Sequence, residues 1–294
     1  MSRTPLDATT AYYRTVPGVG LLRFTMAFLQ RLWPALAVRA ACRLFLTPLP
    51  PKWLVRSKGW GRDWQVAQWS FEEASVTVYD HGGDGPAVLL AHGWGGHAGQ
   101  MKALAAGLVE AGMRPVIMEM PAHGRSAGLQ SNLPQFARAI DYVVARLGDG
   151  GRPVQALVAH SLGATAAAFA AARNLPVQRL VLVAPAASPP AYTRMFAHVF
   201  GLSERTRAGM QRRIEAREGV LMHHFEPPML GARVRLATLV VHDHKDTINP
   251  FSDGAAYVDA IPGARMLPTE GLGHRAVLKD AAVLAQVMAF VRTE

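Results

Sequence analysis

The sequence predicts an α/β protein built on a mainly parallel sheet, and three observations carry that prediction. Short apolar runs at 87–91, 115–119, 154–159, 178–184, 237–242 and 264–268 alternate with helical patterns at 98–111, 133–147, 162–173, 251–260 and 277–292. Such alternation places a crossover helix between successive parallel strands. Next, the buried-strand pattern Val154–Val158, bounded in front by Gly150, Gly151 and Pro153, runs through Ala159-His160-Ser161-Leu162-Gly163 into an Ala-rich helical stretch. That is a sharp strand-to-helix turn centred on a serine. Finally, 294 residues, half of them hydrophobic, supply the core of one large domain with an insertion.

Taken in order, residues 1–16 read as loosely structured. From Gly20 to Leu44 apolar residues recur at helical spacing, with Leu22, Met26, Leu29, Trp33, Leu36, Ala40 and Leu44 on one face and Phe24, Phe28 and Leu32 off it. Pro34 is expected to kink or divide this helix. The segment lacks the uninterrupted apolar run of about 18 residues that a spanning helix needs, and Arg23, Arg31 and Arg39 interrupt any signal-peptide core. Residues 1–62 carry ten basic side chains against Asp7 alone, +9 of the chain's net +10. Two readings of residues 20–44 stand open. The helix covers an apolar patch on the body or at a dimer contact, or it lies as a basic amphipathic helix on an anionic membrane surface. Pro48, Pro50 and Pro51 read as a stiff linker, and Trp64–Phe71 with Ser75–Tyr79 alternate like an antiparallel edge hairpin. The domain organisation expected is therefore an amino-terminal helical extension over 1–60, a core over 61–187 and 233–294, and an insertion over 188–232. The insertion interrupts the strand pattern and has apolar material for a small helical cap. The one cysteine, Cys42, excludes an intramolecular disulfide and fits a reducing, cytoplasmic compartment, with the inner membrane face as a peripheral site.

A serine on a strand-to-helix turn is held with its hydroxyl above the sheet edge, and small residues are needed two before and two after it. Ala159 and Gly163 occupy those places. Three further stretches follow strands in order: His92-Gly93-Trp94-Gly95-Gly96, Glu119-Met120-Pro121-Ala122-His123-Gly124-Arg125-Ser126, and Gly271-Leu272-Gly273-His274. Together the four motifs resemble the α/β-hydrolase superfamily over roughly residues 75–294, with Ala159, Glu119 and Ala122 departing from its usual Gly, Asp and Gly. The resemblance implies a doubly wound sheet with a small helical cap. It also implies a serine hydrolase with Ser161 as nucleophile, His274 as base, and backbone N–H groups of Trp94 and Leu162 as oxyanion donors.

The glycines at 271 and 273 give the His274 loop the freedom to reach across the strand ends. An orienting carboxylate is expected after the sixth or seventh strand of such a fold. The sixth ends in Val183-Ala184-Pro185-Ala186 without one, whereas the seventh runs into Asp243-His244-Lys245-Asp246-Thr247-Ile248-Asn249-Pro250. The family pattern places the acid at Asp246, with Asp243 as the alternative. His92 and His123 are read as loop-holding residues, His160 as a packing residue turned from the line of attack, and the His242-x-His244 pair as polar strand-end residues rather than metal ligands. No phosphate-binding loop or dinucleotide fingerprint occurs, so neither cofactor nor metal is implied, and the basic amino-terminal region carries no nucleic-acid module. The expected activity is cleavage of a small-molecule ester or thioester through an acyl-enzyme. An amidase or aminopeptidase, or a non-catalytic binding protein on the same fold, stands as the alternative. The oligomeric state is left open.

Overall fold

The computed structural model describes residues 18–49, 51–52 and 59–292; the expected loose start at 1–16 and part of the proline linker lie outside them. In chain order the elements are α1 (Val19–Leu32), α2 (Pro34–Phe45), β1 (Gln65–Phe71), β2 (Ala74–Asp80), β3 (Ala87–Ala91), α3 (Lys102–Glu110) and β4 (Arg114–Glu119). There follow α4 (Leu133–Asp149), β5 (Val154–His160), α5 (Leu162–Ala171), β6 (Arg179–Val183), α6 (Pro189–Phe200), α7 (Glu204–Glu218) and α8 (Pro227–Leu230). The chain closes with β7 (Ala237–Asp243), α9 (Phe251–Ala260), β8 (Arg265–Thr269), α10 (Gly273–Ala276) and α11 (Ala281–Arg292).

Among the described residues, one sheet of eight strands runs in the order β1-β2-β4-β3-β5-β6-β7-β8. β2 pairs antiparallel with β1 and β4, and every other pairing is parallel. The central strands are apolar on both sides because helices cover both faces: all five residues of β3 and all six of β4 are buried. Leu90, Ile117, Val158, Val181 and Val241 pack into one core with Leu104, Leu108, Val287 and Val291 of α3 and α11. The parallel strands all end on one edge, which collects the loops after β3, β5, β7 and β8 there. Arg114, at the start of β4, is buried and ion-paired to Asp80 at the end of β2, which ties the antiparallel edge to the parallel centre.

The chain divides into two compact units, one holding residues 48–187 and 227–294, the other residues up to 47 together with 188–226. The second unit thus joins two stretches far apart in sequence. Met26, Ala37, Ala41, Cys42 and Leu46 form a core with Met210, Ile214 and Met222. A Cβ on Gly209 would come 2.9 Å from Val38, so the glycine lets α2 and α7 approach closely. Pro34 divides the helix as expected. Trp33 leaves the helical region (φ −136°, ψ 71°), as a residue before proline does, and Pro34 opens α2. The break resets the helical phase, so the single apolar face expected from Leu22 to Leu44 does not hold. Trp33 and Leu36 are exposed, while Ala37, Ala41 and Cys42 turn inward.

Burial raises the Cys42 thiol above its usual range, ahead of the opposing pull of Arg213. The expected outcome with a thiol-reactive dye at pH 7.5 is little labelling of the native chain and one equivalent in denaturant. Rapid native labelling would show that this core opens.

Candidate active site

β5 ends at His160, and Ser161 turns the chain into α5 with φ 55° and ψ −126°, a backbone region that L-residues avoid. The turn is held from outside: Ser161 N–H donates to the Val183 carbonyl of β6 at 2.9 Å. It is also crowded from below. A Cβ on Gly163 would lie 2.4 Å from the His92 carbonyl oxygen, and one on Gly93 would lie 2.7 Å from Ser161 Cβ. Only glycine at these two positions lets the turn after β3 sit directly against the serine. Ala159, the departure from the usual glycine, is wholly buried in β5.

The loop after β8 carries His274 to the same strand end. The residue lies in the one-turn helix α10 rather than in an open loop, and the expected helix 277–292 begins only at 281, where Asp280 Oδ1 accepts from Val283 N–H. His274 Nε2 stands 3.1 Å from Ser161 Oγ, and His274 Nδ1 stands 2.7 Å from Asp246 Oδ2. Because a carboxylate only accepts, Nδ1 carries the proton and Nε2 faces the serine hydroxyl as an acceptor. Asp246 is fixed in turn by Ile248 and Asn249 N–H donating to its Oδ1 at 2.8 and 3.0 Å. Burial pushes its carboxyl up, but the imidazoles of His242 and His274 and the Ile248 N–H outweigh burial and hold Asp246 well below the usual carboxylate range.

Asp243 does different work. It accepts from Thr269 Oγ1, Leu272 N–H and Lys245 N–H at 2.7, 2.9 and 2.9 Å, pinning the start of the His274 segment to the end of β7. Burial raises its carboxyl, and these donors bring it down to about 2. His242, wholly buried behind Asp246, donates Nε2–H to the Asn249 carbonyl at 3.0 Å. His244 stacks on Phe251. These two histidines therefore have local partners at the strand end.

His160 is buried, as a packing residue is, and it also has a partner that the sequence did not reveal: its Nε2–H donates to the His274 carbonyl at 2.9 Å, with the rings 4.7 Å apart. Burial first, then the neighbouring His274, pushes its imidazole down to about 3, so it is neutral. The two residues are 114 positions apart, and no local pattern signals such a contact.

On the other side of Ser161, the segment His92–Gly96 is held by hydrogen bonds. Gly96 N–H donates to the Gly93 carbonyl, Gly95 N–H to His123 Nε2, and Met120 N–H to His92 Nε2. The Trp94 N–H is thereby positioned between fixed neighbours, and its ring packs on Phe136 and His123. Leu162 opens α5, where the first N–H groups have no intrahelical acceptor. Glu119, standing where an aspartate is usual, is wholly buried and accepts from Ala98 N–H, Arg125 N–H and Tyr79 O–H. It thus binds the loops after β3 and β4 to the sheet. Burial pushes the imidazoles of His92 and His123 down, His123 to about 4.

With this geometry in place, the comparisons with known proteins are specific. A family profile described as serine aminopeptidase S33 matches residues 72–224, just over half of the chain. The chain belongs to this α/β-hydrolase family. It is an enzyme of the α/β-hydrolase superfamily, and its eight-stranded sheet is the sheet of that superfamily. Among solved structures, the hydrolase is similar to the esterase Pf2001 of Pyrococcus furiosus, with 13% identity over 84% of this chain and 97% of that one and a TM-score of 0.64. A hydrolase from Pseudomonas aeruginosa is 19% identical over 78% and 98%, with a TM-score of 0.62. Est1E from Butyrivibrio proteoclasticus is 18% identical over 77% and 96%, with a TM-score of 0.60. At these identities the likeness is one of fold. A comparison with curated protein sequences finds no match.

Two outcomes are expected from this arrangement. His92, His123 and His160 are buried neutral and bind protons only well below the unfolded value of about 6.5. As pH falls below about 6.5 the unfolded chain gains protons that the native one does not, so stability declines with falling pH. The urea midpoint should drop between about pH 7 and pH 5, before carboxylates titrate; a flat profile would contradict the buried neutral assignment. Ala122, at φ 67°, occupies a left-handed position where the family has glycine. Ala122→Gly should raise stability by about 0.5–1 kcal/mol, strain relief less the added unfolded-chain entropy, measured by the same unfolding assay.

Proposed function

We propose that the enzyme hydrolyses a carboxylic ester or thioester through an acyl-enzyme on Ser161. One observation carries this reading: a strained serine hydroxyl 3.1 Å from an imidazole that is itself 2.7 Å from a buried carboxylate held ionised. In the proposed mechanism Ser161 Oγ attacks the carbonyl carbon while its proton passes to His274 Nε2. Asp246 keeps the ring in the Nδ1–H form and stabilises the imidazolium that results. The negative charge arriving on the carbonyl oxygen is met by the N–H groups of Trp94 and Leu162, which need not reorganise during the reaction. Collapse of the tetrahedral species breaks the bond to the alcohol or thiol, which leaves with the proton from His274. Water then gives its proton to His274 and attacks the acyl group, and the carboxylic acid departs as Ser161 recovers its proton. The nucleophile, the base, the orienting acid and the oxyanion donors of this proposed sequence all belong to the chain.

The description of the matching family favours a second reading, release of an amino-terminal residue from a peptide. The same serine chemistry serves both, so the substrate decides. Turnover of p-nitrophenyl esters from acetate to laurate should fall at least about a thousandfold in Ser161→Ala, with the chain-length profile reporting the pocket. Equal rates in the two proteins would remove Ser161 as nucleophile. Turnover of amino-acid p-nitroanilides without ester preference would favour the peptidase reading. Asp246→Asn should lose activity by about three to four orders of magnitude with folding intact, because the amide holds the imidazole in the wrong tautomer. Retention of activity in Asp246→Asn and its loss in Asp243→Asn would move the acid to Asp243.

A further inference from the structure

Helix α1 is apolar on two opposite faces, and only one of them is covered. Met26 and Val19 are buried, and Leu22 and Leu29 pack with them against the core of the second unit. Leu21, Phe24, Phe28 and Leu32 form a seam on the other side, within about 80° of one another on a 100°-per-residue wheel. Leu21 and Phe24 are each 72% exposed, and Phe28 is 51% exposed. The break at Pro34 continues the patch: Trp33, 54% exposed, stands edge-on to Phe28 with ring centroids 5.9 Å apart, and Leu36 follows on α2. An apolar surface of this kind on one element marks a contact site.

The charge around the patch selects its occupant. Residues 18–49 contain four arginines and no acidic residue. Arg23 is turned to the carbonyls of His198 and Val199, whereas Arg31 and Arg39 are exposed along the same two helices. A second copy packing through this face by two-fold symmetry would set a basic patch against itself. An anionic lipid surface instead meets the arginines with phosphate and receives the apolar side chains. Phenylalanine, leucine and tryptophan are the residues that enter the headgroup–acyl boundary. At 14 residues α1 is about 21 Å long, too short to cross a bilayer, and among the described residues no helix is long and apolar enough to do so. We infer that α1 and the start of α2 form a peripheral docking surface for an anionic membrane, lying in its plane with Leu21, Phe24, Phe28, Leu32, Trp33 and Leu36 inserted and Arg31 and Arg39 at the headgroups. This inference stands apart from the catalytic reading.

The test uses the full chain carrying Ser161→Ala, so that no lipid is turned over. Sedimentation with vesicles of phosphatidylcholine alone is compared with vesicles containing about one-third phosphatidylglycerol. The expected result is binding to the anionic vesicles that weakens in high salt and falls at least about tenfold in Phe24→Ser/Phe28→Ser. Those positions are exposed, and circular dichroism checks that the fold is retained. Arg31→Gln/Arg39→Gln should abolish the preference for anionic lipid, and brominated acyl chains should quench fluorescence less in Trp33→Leu than in its parent. Absence of binding to either vesicle overturns the inference, as does binding unaffected by the paired phenylalanine substitution. A dimer in sedimentation equilibrium that Phe24→Ser dissociates, without vesicle binding, would assign the face to a second copy and overturn it equally.

Discussion

The turn at Ser161 is constrained from several sides at once. A serine with a positive φ is unstable in isolation, and here it persists because its surroundings over-determine it. Its N–H is tied to β6, a neighbouring turn lies against its Cβ, and the first turn of α5 rests on the His92 carbonyl. The parallel pairing of β3, β5 and β6 brings those three neighbours to one edge in register. Strain at the turn and parallel topology are therefore two aspects of one requirement, a hydroxyl held proud of the sheet.

Around that point the polar groups are arranged in two supporting arcs. One comprises His92, His123 and Glu119, which knit the loops after β3 and β4 with buried and part-buried hydrogen bonds. The other comprises Asp243, His242 and His160, whose side chains hold the Asp246 loop and the His274 segment through hydrogen bonds to residues other than the serine. Both arcs consist of groups whose burial would be costly without partners, and each has at least one. The departures from the family pattern fall in the first arc and on the elbow. The longer Glu119 still reaches its donors, Ala159 fits within the strand, and Ala122 takes the backbone strain that a glycine would avoid.

The second unit follows a different logic. Its core is made by two segments that the sequence separates by more than a hundred residues, and a thiol–carbonyl contact from Cys42 to Met210 lies inside it. Apolar residues there serve two purposes that hydrophobic periodicity cannot tell apart, internal packing on one side of α1 and an exposed seam on the other. Phe24, Phe28 and Leu32, off the stripe in the sequence, remain outside, and so do Trp33 and Leu36 from the stripe itself.

What the sequence by itself determined was local: the alternation of strands and helices, the serine on its turn, the histidine in its glycine-flanked segment, and the helix break at Pro34. Each depends on periodicity or on the conformational limits of one or two residues, which act over a few positions of chain. The family pattern ranked Asp246 ahead of Asp243, and the tertiary structure shows which of these strand-end carboxylates meets His274. Asp243 and Asp246 differ by three positions, but their side chains leave the end of β7 toward different partners, one to the backbone of the β8 loop and one to the imidazole. It likewise decided that His160 supports His274, that α1 and α2 pack with α7, and which face of α1 stays exposed. These outcomes depend on contacts between residues distant in sequence, and the helical phase after Trp33 is set by the packing those contacts create.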